Sequence, residues 1–228
     1  MYILLISSTQ AEIEATSRSL LPLEKSLHPH ELDIRITGIG GMMTGYNLCN
    51  HIRRRRPDYI IQAGVAGSFS DKLPPGSAGL IKEEIMADLG AEENDQFRDI
   101  FDLSLIAPHT PPFVNHFLPN PGIKAWEDYP LPLARGATVN AIRTSAAHTV
   151  MIREKYDPAT ESMEGAAFHY VCLMENIPFI QLRAISNYVG ERDKKNWKLR
   201  EAVDRLNTEL AGVIQRLTRQ IETINDQA

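Results

Sequence analysis

Apolar and polar positions along this chain follow two periods, and the changes between them outline its elements. Residues 2–6, YILLI, form an unbroken apolar run of strand length. Ser7, Ser8 and Thr9 turn it into a helix reaching about residue 21, opened by a Thr-x-x-Glu capping pattern at Thr9 and Glu12. A strand at 34–37 runs into Gly38-Ile39-Gly40-Gly41 and a helix over about 42–55. A third strand, 59–62, delivers a small-residue loop, Ala63 through Ser68, and 79–87 reads as another strand. From 90 to 132 the periodicity is lost in acidic residues and a Pro-rich aromatic segment, PHTPPFVNHFLPNPG. Loops of that length in compact domains are often lids.

The clearest pattern lies at 161–187, ESMEGAAFHYVCLMENIPFIQLRAISN. Met163, Ala166, Ala167, Tyr170, Val171 and Met174 recur at helical spacing, one continuous stripe that predicts a buried helix with Glu164 in its first turn. Asn176 and Pro178 stop it, and 179–185 reads as a buried strand ending in Ser186 and Asn187. From about 197 to 223 a long amphipathic helix, with Leu199, Val203, Leu206, Leu210, Val213 and Leu217 as its stripe, closes the chain and has no other role on this reading. The whole predicts one α/β domain over residues 1–228.

Composition narrows the function. Hydrophobic residues at 43% suffice for a single core, and no apolar run approaches the ~20 residues of a membrane helix. A net charge of −5 argues against a nucleic-acid surface. The basic run Arg53 to Arg56 complements a helix end. Cys49 and Cys172 sit in helical patterns and read as small buried hydrophobes, so a reducing cytoplasm is the expected location. The chain starts directly on a strand-like run without a basic, cleavable leader. Spacings for zinc, a nucleophile elbow or a Walker loop are missing, and Gly38-x-Gly40 fails as a dinucleotide fingerprint because Met43 stands where glycine is needed.

What remains is acid–amide chemistry. Ligands of open α/β sheets bind beyond the carboxyl ends of the strands, where loop 63–68, Ser186 and Asn187 fall and which Glu164 could reach. Each also has a plainer reading. Glu12 can cap its helix, Glu164 can complement a helix dipole, and Asn187 can make a turn.

SMEGAAFHYVC followed by IPFIQLRAISN closely resembles the purine nucleosidase and phosphorylase superfamily, in particular its methylthioadenosine nucleosidase branch. RAISN and the following GERDKKNW look most like the futalosine hydrolases of menaquinone biosynthesis. The likeness covers most of the chain and is weak between about 90 and 133. It implies a central twisted mixed β-sheet flanked by helices, a small-molecule nucleoside substrate, no cofactor or metal, and a homo-oligomer.

The resemblance also assigns roles. Glu12 matches the carboxylate that orients and deprotonates an attacking water. Glu164, with Met163 beside it, matches the group that holds the ribose hydroxyls. Asn187, braced by Ser186, attends the leaving base, and Val65, Ala66 and Gly67 lie beside the sugar. Thr138 and Val139, from the segment 135–144, belong to the base pocket. Phe113, with His109 and Pro112, belongs to a segment that covers the 5′ end from a partner subunit. Adenine-specific relatives carry aspartic acid where this chain has Asn187. An amide gives N–H to a carbonyl O6 and accepts from a protonated N7, the pattern of a 6-oxopurine such as hypoxanthine. Phosphorolytic members carry an Arg before the small-residue loop, whereas here no Arg occurs between Arg56 and Arg98.

Overall fold

Tyr2–Ser7 is buried along its whole length, as a strand with an apolar run of five becomes when it has neighbours on both sides and helices on both faces. The computed structural model describes residues 1–23, 30–94 and 96–225. In chain order the elements are β1 (Tyr2–Ser7), α1 (Gln10–Leu23), β2 (Glu31–Ile36), α2 (Gly41–Arg54), β3 (Tyr59–Ser68), β4 (Ala78–Met86), β5 (Gly90–Glu93), β6 (Gln96–Asp99), β7 (Leu118–Pro119), β8 (Leu133–Thr138), α3 (Ala146–Tyr156), β9 (Thr160–Ser162), α4 (Gly165–Met174), β10 (Phe179–Tyr188) and α5 (Leu199–Asn225). Strand β1 lies between β2 and β3, parallel to both. Strand β3 also pairs β10 in parallel and β9 antiparallel. Because β10 pairs β4, β4 pairs β8 and β8 pairs β9, these five strands close on themselves. The sheet is mixed, as expected, and small strands β5 and β6 form a separate hairpin.

Alternation along the central strands divides the core into two layers. Ile3 and Leu5 of β1, Ile61 and Ala63 of β3, and Ile180, Leu182 and Ala184 of β10 pack with α5 and Trp126. Leu4, Ile6, Ile60 and Phe179 point the other way, against Leu48 and Ile52 of α2 and Phe168 and Cys172 of α4. Among the described residues no helix is long and apolar enough to cross a membrane.

The structure corrects the expected elements in four places. Strand β3 continues to Ser68, so the expected small-residue loop is strand. The stripe on α4 is only partly buried: Ala166 and Val171 are in the core, but Tyr170 is 40% and Met174 54% exposed, while Phe168, His169 and Cys172 are fully enclosed. This helix is apolar on nearly every side, and a helix of that kind has no polar face from which periodicity can find the buried one. The expected irregular stretch contains a hairpin, β7 and the buried Trp126, and the structure adds α3 and β9, which no sequence pattern above predicts. Finally α5 begins at Leu199, with Leu199 itself 47% exposed.

Candidate active site

Glu12 stands one residue before a break in α1, where Ile13 leaves helical geometry with φ −121° and ψ 16°. The break opens the helical bond that Thr16 N–H would make to the carbonyl of Glu12, and Asn207 of α5 enters the gap. Its Oδ1 accepts from Thr16 N at 2.7 Å and its Nδ2 donates to Glu12 O at 2.9 Å. A side chain inserted into the helical ladder is a recognised cause of such kinks. The carboxylate itself is tied on both oxygens. Oε2 accepts from Ser7 Oγ, Thr9 N and Thr9 Oγ1 at 3.1, 2.9 and 2.9 Å. Oε1 accepts from Val65 N at 3.0 Å. The capping bond is therefore present, and it uses one oxygen. With about two acceptor sites per carboxylate oxygen, Oε1 keeps one for a further donor.

Glu164 is the N-cap residue of α4 and is 5% exposed. Its Oε1 accepts from Gly40 N at 3.0 Å, in the turn that Gly38 and Gly40 form. Both glycines have φ +87°, which other residues rarely adopt. Oε2 of Glu164 faces Arg183 Nη1 at 3.4 Å. Arg183, 1% exposed, is held by Val65 O, Gln62 Oε1 and Gln181 Oε1, each at 3.3 Å. A Cβ at Gly64 would come within 2.6 Å of Arg183 Nη1 and 3.1 Å of Glu12 Oε1. Gly64 thus leaves room for the guanidinium and the carboxylate to approach over one stretch of β3.

Behind them Glu84, 1% exposed, accepts from Gln181 Nε2 and Thr138 Oγ1, both at 3.0 Å. Burial pushes its carboxyl up to about 8 against the opposing charge of Arg183. Thr138 Oγ1 also accepts from Ala166 N at 2.7 Å, fixing the first turn of α4.

At the end of β10 the register slips between Ile185 and Asn187, leaving Ser186 as the extra residue of a bulge. Bulges beside active sites re-aim side chains. Ser186 Oγ donates to Asn187 Oδ1 at 2.7 Å, and Asn187 Nδ2 donates to Tyr188 O at 2.8 Å. One N–H and one lone pair of the amide remain.

A cavity of about 330 Å³ brings these groups together. Glu12, Val65, Ala66 and Gly67 line it, as do Met163, Glu164, Ser186, Asn187 and Val139. Two expected residues are not in its wall. Thr138 is the hydrogen-bonded strut just described. Phe113 is 5% exposed and packs edge-on to Phe101, with ring centroids 5.3 Å apart, in its own chain's core. A wider cleft of about 580 Å³ at the β2–α2 edge holds charges that are already paired, Arg55 with Glu31 and Arg35 with Asp33.

A family model described as "Phosphorylase superfamily" matches residues 30–220. The chain belongs to this superfamily. It is 32% identical over 151 residues to a futalosine hydrolase of Streptomyces coelicolor, covering 64% of this chain and 60% of that protein's own length. It is 30% identical over 172 residues to a futalosine hydrolase of Thermus thermophilus, covering 75% of each. Among solved structures, a futalosine hydrolase mutant of Helicobacter pylori superposes with a TM-score of 0.72 at 15% identity, covering 95% of this chain and 99% of that one. At that identity the likeness concerns the fold.

Three features of this superfamily member escape a reading of its sequence. Arg183 lies inside a strand that reads as apolar, so nothing marks it as the counter-charge of Glu164. Glu161 lies in the three-residue strand β9, too short to show a period. Helix α5 is more than a closing element, since Leu199 and Val203 line the cavity and Asn207 bridges Glu12 O and Thr16 N in α1. Arg192 and Trp197 line it too, with the guanidinium 5.6 Å from the indole ring centre.

Proposed function

We propose that this chain hydrolyses the N-ribosidic bond of futalosine, releasing hypoxanthine and dehypoxanthine futalosine, as a step of menaquinone biosynthesis. The observation that carries the proposal is a single cavity with two backbone-tied carboxylates at one end and a neutral amide at the other. The two relatives named above, futalosine hydrolases both, support it.

In this reading a water donates to the open site of Glu12 Oε1, within the hydrogen-bond reach that general-base catalysis requires. Its oxygen bonds to the anomeric carbon while its proton passes to Glu12. Glu164 accepts from the ribose hydroxyls. Its fixed charge favours the sugar as positive charge grows there, and the site need not reorganise to provide it. The base leaves with the electrons of the broken C–N bond and takes a proton from solvent at N7, balanced when Glu12 returns to solvent the proton it took from the attacking water. Asn187 then accepts that N7–H through Oδ1 and donates its spare N–H to O6. Arg183, the cation beside the two carboxylates, is engaged by Glu164, Gln62, Gln181 and a backbone carbonyl, so it offers phosphate no free charge there.

The same proposal includes a cytoplasmic homo-oligomer. Both cysteines are free thiols. Helices α2 and α4 leave Met42 85%, Tyr46 70% and Met174 54% exposed, large apolar groups of the kind that mark association surfaces. Sedimentation velocity tests the oligomer. Chromatography of the products from futalosine, aminodeoxyfutalosine, inosine and methylthioadenosine, each with and without phosphate, tests the activity. Hypoxanthine should appear from futalosine at the same rate in both conditions. Turnover only with phosphate, or only of the 6-amino substrates, would overturn the assignment.

A further inference from the structure

The cavity wall contains one carboxylate that the chemistry above leaves unused. Glu161, the middle residue of β9, is 8% exposed, and among the described residues its side chain makes no hydrogen bond or ion pair. Burial and the like charge of Asp88 push its carboxyl up to about 7. A carboxylate taken out of water without a partner is costly, whereas those of Glu12 and Glu164 are tied to backbone N–H groups. Something outside the chain's own hydrogen bonds has to supply the donor.

The strand register shows where that donor would sit. Gly67 of β3 pairs with Glu161 on one side and with Asn187 on the other. Residues directly opposite in neighbouring strands project from the same face, and the intervening position has no side chain. Both Glu161 and Asn187 line the cavity, and Val139, whose N–H bonds to Ser162 O, stands next to them. Across one glycine, an amide with a spare N–H and a spare lone pair faces an unpartnered acid.

We propose that Glu161 is a specificity residue of this site, its carboxylate accepting the N1–H of a 6-oxopurine whose N7 and O6 are held by Asn187. The proposal rests on the reading of the cavity as a 6-oxopurine nucleoside site and adds the group that reads the base's far edge. Along that edge N7, O6 and N1–H follow in order. Asn187 has one acceptor and one donor left, enough for the first two. The third is a donor, and the ionised form of Glu161, which takes over as pH rises through about 7, is an acceptor only. A 6-aminopurine presents a lone pair at N1, so lone pair would meet lone pair, in addition to the mismatch at the amide. The base is then read at two separate points, and no hydrogen bond among the described residues competes for the Glu161 carboxylate.

The experiment compares futalosine with its N1-methyl analogue in the wild type, Glu161→Gln and Glu161→Ala, with calorimetric binding of hypoxanthine and 1-methylhypoxanthine to the same proteins. The wild type should disfavour the methylated substrate in kcat/KM by about tenfold or more, the loss of one charge-assisted hydrogen bond. Glu161→Ala should be nearly indifferent to the methyl group. Glu161→Gln, which keeps the shape and a carbonyl acceptor, should fall between. Equal discrimination in all three proteins, or a free base that no protein holds, overturns the proposal. Failure of every protein to cleave futalosine would instead remove the activity proposed above, and the free-base titrations would still decide the role of Glu161. If Glu161→Ala does not fold, Glu161→Gln decides alone. Its preference for hypoxanthine over adenine should drop about tenfold, and an unchanged preference ends the idea.

Discussion

The two ends of the cavity are built on opposite plans. At the end proposed to hold the sugar, Glu12 accepts four hydrogen bonds and Glu164 two, from backbone amides, hydroxyls and a buried guanidinium. At the end proposed to hold the base, among the described residues Asn187 is held by its chain neighbours Ser186 and Tyr188, and Glu161 by nothing. A group that must be charged and in place before the reaction is anchored in advance, because reorganising it during the reaction would raise the barrier. A group that must tell one base from another is left unsatisfied, because discrimination comes from polar groups that stay unpaired when the wrong ligand enters. The contrast teaches where this fold can vary its substrate without losing its chemistry.

The contrast breaks most sharply at Glu12. Glu12→Gln retains the shape but accepts no proton, and turnover should fall by about 10²–10⁴-fold, with futalosine binding still measurable by calorimetry. A variant retaining half its rate would make Glu12 a helix cap alone.

At the other end, Asn187→Asp should leave the rate machinery intact and change the choice of base. The kcat/KM ratio of futalosine over aminodeoxyfutalosine should drop by about ten- to a hundredfold, the equivalent of one buried polar mismatch. A new pH dependence should accompany it, since the amide does not titrate and the carboxyl does. An unchanged ratio across pH 5 to 8 would move base choice elsewhere in the wall.

A smaller effect is expected at the rim. Arg192→Ala should weaken futalosine, whose 5′ aryl group bears a carboxylate, by about two- to fivefold relative to its methyl ester, the scale of an exposed ion pair. Equal losses for both would remove Arg192 from the site.

The last prediction sharpens the contrast without touching catalysis directly. Glu84 has its carboxyl pushed up to about 8 by burial, so the folded protein keeps a proton there that the unfolded chain gives up near the ordinary carboxylate value. Where the folded state binds more protons, stability falls as pH rises. Glu84 therefore contributes a decline between about pH 4.5 and 8, and Glu84→Gln should flatten it. Melting temperatures of both proteins from pH 5 to 8 check the slope, and parallel curves would exclude Glu84 as its source.

Much of this arrangement is legible in the sequence, and the parts that are not share a cause. The apolar runs of β1 and β10, the capping pattern at Thr9 and Glu12, and the polar pair closing β10 are local signals, and each appears where its pattern puts it. The missing parts depend on residues distant in sequence. Arg183 has meaning only beside Glu164 and Val65, and Gly64 only because Arg183 and Glu12 approach it. Strand β9 is three residues long and exists through its pairing with β3 and β8. On α4 the misjudged face has a different origin, since a uniformly apolar helix gives periodicity nothing to resolve. Phe113 shows the limit of reading a Pro-rich loop as a lid, because its ring is part of the core.

The amide that splints α1 joins Asn207 to Glu12 across 195 positions, and so gives the protein's manufacture an order. A ribosome releases Glu12 first and Asn207 195 residues later. A chain terminated just after β10 would carry all the described strands, Glu12, Glu164 and Asn187, yet would lack the Asn207 amide that bridges Glu12 O and Thr16 N in α1. On the proposed function, the water-activating site would thus be completed only with α5, after the described strands have been made. A nascent or prematurely stopped chain would be a nucleoside cleft without a settled base.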